Sequence, residues 1–243
     1  MFSRGHLKVL SRIAVSVVVP AYNQKDKLEG CVNAVQRSLM DAGISSFEII
    51  IAEDGSHDGS FEEAQRLWRK YPFVKVSHAN RKTGRGSAVC RGFTEANGEL
   101  VAYIDADQAT ETSHLPALLD AARKTGIATG SRYLKASAAS RGVRRLLFSR
   151  IFNWLVRVML DSRVSDHQCG FKAFRRGVAK DLCARTKERH WLWDTEIIVL
   201  AQRQGLVVSE IPVVWCEQGN TTVRLKNDVW EMFWGIVRLR QRL

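Results

Sequence analysis

Leu100-Val101-Ala102-Tyr103-Ile104 runs directly into Asp105-Ala106-Asp107-Gln108-Ala109-Thr110, and this stretch decides the fold. A short, wholly apolar run reads as a strand buried on both faces, which is the mark of a parallel sheet covered by helices. Acids at the end of such a strand stand at the carboxyl edge of the sheet, where open α/β folds hold ligands. One residue separates the two aspartates, so extended backbone would aim both carboxylates the same way. Two hard oxygen ligands that leave other coordination positions free suit Mg²⁺ or Mn²⁺ shared with the phosphates of a substrate.

Upstream, the same strand-and-helix alternation repeats. Val15 to Val19 is a β-branched run closed by Pro20-Ala21-Tyr22-Asn23, and a helix is expected from about Lys25 to Ala42. The connecting loop has no glycine-rich fingerprint, which removes most support for a nicotinamide or flavin enzyme. Phe47 to Ala52 gives a second strand ending in Glu53-Asp54-Gly55-Ser56-His57-Asp58-Gly59-Ser60. Glu53 and Asp54 can accept hydrogen bonds from a ribose or a base edge, while Asp58 or Ser60 caps the next helix. Val74 to Val76 leads to Asn80-Arg81-Lys82-Thr83-Gly84-Arg85-Gly86 and a helix from Ser87 to Ala96. A basic, glycine-bearing loop that opens a helix is a candidate anion site, because first-turn N–H groups have no helical partner. It is not a P-loop, since no Gly-Lys-Ser/Thr follows at the required spacing.

Downstream, a helix capped near Ser113 precedes a strand at Ile127 to Thr129, which ends in Gly130-Ser131-Arg132-Tyr133. The second half changes character. Arg141, Arg144 and Arg145 precede an apolar helix from Leu146 to Leu160 that packs in the core or lies at an interface. Asp166-His167-Gln168-Cys169-Gly170-Phe171-Lys172 reads as a site-lining loop. Trp193-Asp194-Thr195-Glu196 opens a helix in which the two acids are either a cap with a first-turn acid or a general base. Val207 to Trp215 is a last extended segment. From Leu225 to Leu243, Val229, Met232, Phe233, Ile236 and Val237 share one helical face and arginines crowd the end, as in helices that lie on anionic lipid.

The chain has 243 residues and a formal net charge of +12. That length holds one large α/β domain, here 14–224, with an N-terminal extension at 1–13 and an amphipathic basic helix at 225–243. The five cysteines lack metal-type spacing and their odd number argues against a disulfide framework, which points to a reducing, cytosolic setting. No run reaches the roughly 20 apolar residues of a spanning helix, and the N-terminus lacks the layout of a secretory signal. The expected state is cytoplasmic, with peripheral attachment to the cytoplasmic face of a membrane. The positive charge requires an anionic partner, whether nucleic acid, membrane surface or phosphorylated substrate. A nucleic-acid-binding module leaves the strand-end acids unexplained, and the chain shows no aromatic-basic recognition motif, so no nucleic acid is expected.

Taken in order, Val18-Val19-Pro20-Ala21-Tyr22-Asn23, the Glu53 to Ser60 stretch, Asn80-Arg81 with Gly84-Arg85-Gly86, Asp105-Ala106-Asp107, Gly130 to Tyr133, Asp166 with Gln168 to Lys172, and Glu210 to Trp215 resemble glycosyltransferase family 2. Within it they are most similar to the polyprenyl-phosphate (dolichyl-phosphate) glucosyl- and mannosyltransferases. The resemblance implies a GT-A fold, a mainly parallel nucleotide-binding sheet with helices on both faces. It implies that Pro20, Ala21, Tyr22, Asn23, Glu53, Asp54, Arg81, Gly84, Arg85, Gly86 and Ala106 lie around the nucleotide. Asp105 and Asp107, with Gln108, would hold the metal; the family often has Lys or Leu where this chain has Arg85. Arg132, Arg145, Asp166, Gln168 and Lys226 would face the acceptor, with Arg132 counted beside the two aspartates as catalytic. Asp194 or Glu196 would serve as base if the acceptor were a hydroxyl. The expected reaction is inverting transfer of a hexose, glucose from UDP-glucose in the first place, to polyprenyl or dolichyl phosphate. The alternatives are a GDP-mannose-dependent mannose synthase and a soluble enzyme that extends a saccharide. A membrane partner subunit could help hold the protein at the bilayer.

Overall fold

A computed structural model describes the backbone of residues 13–140, 143–216 and 225–242, and their side chains except at 140, 143–145 and 225–232. Five strands come first in the chain: β1 (Val15–Ala21), β2 (Phe47–Glu53), β3 (Val74–His78), β4 (Leu100–Ile104) and β5 (Ile127–Ser131). Between them run α1 (Lys25–Asp41), α2 (Ser60–Lys70), α3 (Arg85–Glu95) and, after a short 3₁₀ turn at Thr112–His114, α4 (Leu115–Thr125). Each residue of β4 is buried, as its apolar run demands.

The remainder comprises β6 (Ala138–Ser140), α5 (Val143–Leu160), β7 (Phe171–Arg175), α6 (Arg176–Arg185), α7 (Trp193–Arg203), β8 (Val208–Pro212), β9 (Val214–Cys216) and α8 (Leu225–Arg242). The large sheet has the order β3-β2-β1-β4-β7-β5-β8. All its pairings are parallel except those of β7, which runs antiparallel to both β4 and β5. Two of the sequence-based readings change here. The segment from Phe171, read as the end of a loop, is a central strand. The single extended segment at 207–215 divides at Pro212-Val213 into β8 of the large sheet and β9, which pairs with β6 in a second small sheet.

Two apolar clusters sandwich the large sheet. One joins α1 and α4 to the face carrying Val17, Ile49 and Ala102. The other joins α3, α6 and α7 to the face carrying Val18, Ile50 and Tyr103. A third sits apart, where Phe152, Val156 and Leu160 of α5 meet Leu192, Val199 of α7, and Ile236 and Leu239 of α8. The last helix is therefore bound into the body of the protein along one face. Among the described residues the outer face of α5 has no such cover: Leu147, Ile151, Trp154 and Val158 are 57, 45, 59 and 62 % exposed.

Candidate active site

Parallel register brings the strand ends to one rim: Ala21 of β1 lies opposite Glu53 of β2, and Glu53 opposite His78 of β3. The loops that leave this rim are knitted together by their own acids. Glu53 is fully buried, accepts the backbone N–H groups of Gly55 and Ser56, and pairs with His78 Nδ1 at 2.6 Å. Burial alone would raise its pKa, yet these hydrogen bonds hold it below the usual carboxylate range. Asp54 accepts the N–H groups of Thr83 at 3.0 Å and Gly84 at 2.8 Å. Gly55, at φ +70°, lies so close to the Arg81 backbone that a side chain would collide with it. Asn23 joins the same rim, accepting the His57 N–H at 3.1 Å and donating its own to Ser56 Oγ. The acids read from the sequence as ligands for a ribose are thus engaged in holding the loops of this rim. Tyr22 and the exposed Arg81 and Lys82 remain at the opening, with Lys82 Nζ 3.9 Å from the centroid of the Tyr22 ring.

The cap residue of α2 is Gly59, in the left-handed region and without a side chain to cap it, so the capping expected of Asp58 or Ser60 takes another form. Asp58 receives the N–H of Ser60 at the start of α2 and that of Lys25 at the start of α1, while Ser60 Oγ receives the N–H of Gln24. The anion site expected at the N-terminus of α3 is different. The Gly86 N–H donates to the Arg189 carbonyl at 2.7 Å, with Ser87 on the same oxygen at 3.3 Å, so these first-turn donors already have a partner from the loop before α7.

β4 ends at Ile104, one residue before the acid pair. Asp105 to Gln108 form a turn in which the Gln108 N–H returns to the Asp105 carbonyl at 3.1 Å and Gln108 takes φ 54°. The two carboxylates therefore take their directions from a turn and not from strand alternation, which corrects the extended-backbone expectation. Both lie close enough to Cys31 of α1 to add to burial in pushing its thiol up to about 12. Asp107 accepts the Ala109 N–H and borders a groove of about 550 Å³ with Asp26, Gln108 and Glu111. The Gln108 amide lies against Gly30 of α1.

Asp105 faces α3 and α7. Arg85 places Nε and Nη2 on Asp105 Oδ1 at 3.0 and 2.8 Å, and Nη1 on Asp194 Oδ2 at 2.5 Å. Asp194, 1 % exposed, also receives Lys172 Nζ at 2.7 Å and the Tyr103 hydroxyl. Burial raises the pKa of Asp105 to about 6; Arg85 opposes that rise, and the negative charges of Asp107 and Asp194 add to it. Asp194 is also buried, but Arg85 and Lys172 outweigh desolvation and hold it below the ordinary range. Gly170 closes the other side, where any Cβ would run into Asp105 Oδ2.

Arg132 and Asp166 form a two-pronged pair, Nε to Oδ2 at 2.6 Å and Nη2 to Oδ1 at 2.7 Å, with Asp166 wholly buried. Gln168 is half-buried in the loop between Asp166 and Gly170. Glu196 accepts the N–H groups of Lys187 and Glu188 at 2.9 and 2.7 Å and meets Arg242 of α8, so it fastens the loop before α7. Arg145 and Lys226 belong to helices, but their side chains lie outside the described residues. The roles of three residues escaped the sequence reading, although Lys172 stood in the segment read as lining the site. Lys172 anchors Asp194, Tyr103 shares it, and Trp191, 54 % exposed, stands 5.2 Å from the Arg85 guanidinium. A lysine between Phe171 and Ala173 in an apolar strand was the available signal, because a buried ammonium requires a carboxylate.

A nucleotide-type α/β sheet with paired acids at its carboxyl rim and an antiparallel strand set beside them defines a GT-A glycosyltransferase architecture. The match to the glycosyl transferase family 2 model over residues 16–183 places the chain in that family. It is 40 % identical to Glycosyltransferase AglD of Haloferax volcanii over 93 % of its own length, but spans only 37 % of that protein. Against the dolichyl-phosphate beta-glucosyltransferases of Trichomonas vaginalis (ALG5C) and Dictyostelium discoideum it is 31 and 30 % identical, covering 68 and 76 % of their lengths. Among solved structures, glucosyl-3-phosphoglycerate synthase of Mycobacterium tuberculosis, in complex with Mn²⁺, UDP and product, superimposes at a TM-score of 0.64 with 20 % identity. That alignment covers 93 % of this chain and 78 % of the other. Mannosyl-3-phosphoglycerate synthase of Rubrobacter xylanophilus gives 0.66 at 19 % identity, over 95 and 73 %. At these identities the two structures speak for the fold.

Proposed function

We propose that the protein transfers glucose from UDP-glucose, with inversion, to dolichyl or another polyprenyl phosphate at the cytoplasmic face of a membrane. The supporting observation is the state of the candidate bases. A hydroxyl acceptor needs a group to take its proton, whereas a phosphate monoester is already largely ionised at neutral pH and needs only to be held and aimed. Asp194 is clamped by Arg85 and Lys172 with its basicity reduced, and Glu196 is tied to backbone N–H groups and Arg242. This arrangement suits a phosphate nucleophile. Arg132, fixed in its rotamer by Asp166, keeps guanidinium donors to spare for that phosphate.

The residues present fit a divalent ion. Asp105 is a part-buried carboxylate whose acidic neighbours, Asp107 and Asp194, add negative charge beside it, a site that favours a cation. Among the described residues no three acids, histidines or cysteines form a complete cage, so a metal here would share its remaining positions with substrate phosphates, as Mg²⁺ and Mn²⁺ do. Asp105 and Asp107 would hold it, with Gln108 in reach after a rotation away from Gly30. Bound there, the metal would act as a Lewis acid that neutralises the departing diphosphate. Tyr22, Arg81 and Lys82 border the space left for the base and ribose.

The relatives named as dolichyl-phosphate glucosyltransferases support the glucose and the lipid acceptor. Among the described residues no helix is long and apolar enough to cross a membrane. The bare face of α5, together with Trp234 of α8 and exposed Arg150, Arg157 and Arg238, supplies an apolar stripe edged with positive charge, which suits contact with an anionic leaflet. The test is to supply Mn²⁺ with labelled UDP-glucose or GDP-mannose, and with dolichyl phosphate or soluble saccharides, and then to extract with organic solvent. Label from UDP-glucose should enter the organic phase. Label confined to saccharide would overturn the acceptor, and label from GDP-mannose alone would overturn the donor.

A further inference from the structure

We propose that Arg85 is an internal counter-ion that holds the cation's place on Asp105 and passes to Asp194 when the metal binds, so that Asp194 is a positioning residue that sets metal affinity. This deepens the metal reading given above and rests on it.

The charged groups alternate along a line from the rim inward: Asp105, Arg85, Asp194, Lys172. The inner end is immobile. Lys172 is fully buried and donates to the carbonyls of His167 at 3.1 Å and Cys169 at 2.6 Å as well as to Asp194 Oδ1. Asp194 Oδ1 therefore has its partners, and Oδ2 has a single arm of Arg85. The outer end is open, since the Asp105 side chain is 36 % exposed against 15 % for Arg85 and 1 % for Asp194. A cation arriving from solvent meets Asp105 first and finds Oδ1 occupied by two guanidinium N–H groups. A guanidinium and a metal ion on one carboxylate repel each other and divide its negative charge, so a bound metal would weaken the hold of Arg85 on Asp105.

The guanidinium has somewhere to go. It already rests on Asp194 by Nη1, and it lies between the rings of Tyr103 and Trp191, with centroids at 5.4 and 5.2 Å. Those rings hold a cation by their faces while it shifts, without specifying one hydrogen-bonding pose. Once released from Asp105, the fork can turn the freed arm toward the substrate phosphates that accompany the metal. Nothing in the exchange makes or breaks a covalent bond.

The consequence is a coupling that simple charge does not produce. Arg85→Gln removes the competitor, and the nucleotide-free protein should bind Mn²⁺ about tenfold more tightly. Asp194→Asn leaves Arg85 with Asp105 alone, and Mn²⁺ should bind about tenfold more weakly. Through-space electrostatics gives the same signs, but its effects add. In the exchange, Asp194 acts only through Arg85, so Asp194→Asn in the Arg85→Gln background should leave Mn²⁺ affinity nearly unchanged. The measurement is Mn²⁺ affinity of the full chain by electron paramagnetic resonance for the four proteins, with circular dichroism as the check on folding. Additive effects overturn the exchange while leaving the metal reading intact; absence of Mn²⁺ binding by the wild type overturns both. If Asp194→Asn does not fold, a crystal of the wild type with Mn²⁺ decides. Arg85 should then contact Asp194 and not Asp105, and a guanidinium still chelating Asp105 beside the bound ion would overturn the proposal.

Discussion

Lys172 sits in mid-strand with no exposed surface, and Asp194 with its carbonyl neighbours is what makes that tolerable. Removing one member of a buried pair leaves the other charge uncompensated, which costs about 3–5 kcal/mol. Lys172→Ala should lose that much stability in urea denaturation, and a change below about 1 kcal/mol would show that the pair carries little. Gly170 behaves differently, because its constraint concerns geometry at Asp105. Gly170→Ala should lower transfer by about a hundredfold, the size of effect a displacement of roughly 1 Å has on a reacting group, with little change in melting temperature. Activity near wild type would mean that Asp105 can move without consequence. The acids and glycines of these loops were legible because each stands at a strand end or a turn. The pairing of Arg85 with Asp194 was not, because 109 residues separate them and only the sheet brings them together.

Helix α5 shows what periodicity can and cannot tell. Its apolar residues surround the axis so fully that sequence left both core and interface open, with the core ahead, whereas the fold buries Phe152 and Val156 and leaves Trp154 and Val158 bare. Phe152→Ala should cost about 3–5 kcal/mol as a cavity forms. The double change Trp154→Ser with Val158→Ser should leave stability within about 0.5 kcal/mol while greatly reducing sedimentation with anionic vesicles. Equal vesicle binding by that variant would remove α5 from the membrane contact. Elsewhere the first half read well, since β1, β2 and β4 are apolar runs closed by turn residues. β7 was hidden by the lysine at its second position, and β6 and β9 are three residues each, too short for any period to appear. The N-terminus of α3 looked open to an anion because its partner, the Arg189 carbonyl, comes from a distant loop.

At the scale of the whole molecule, His167 should make the protein less stable in acid, while Asp105, with a native pKa of about 6, works against it over part of the same range. Burial lowers the His167 pKa from 6.5 to about 3, with its ring between Asn153 and Ser162. The unfolded chain takes up the proton below about pH 6.5 and the native one does not, so stability is unaffected above that pH and falls as pH drops toward 3. The His167 contribution should be about 2 kcal/mol between pH 7 and 5, read as the difference between the urea-midpoint profiles of the wild type and His167→Gln, in which the Asp105 effect cancels. Parallel profiles for the two proteins over that interval would place the imidazole in contact with water. The same wholeness governs the reaction, because loops from four strands and two helices converge on a single pair of acids. The most direct measurement is an anomalous map from crystals holding Mn²⁺ and UDP. The account requires a manganese peak touching Asp105 and Asp107 with the diphosphate on its far side; a peak elsewhere, with both carboxylates holding only protein groups, would contradict it.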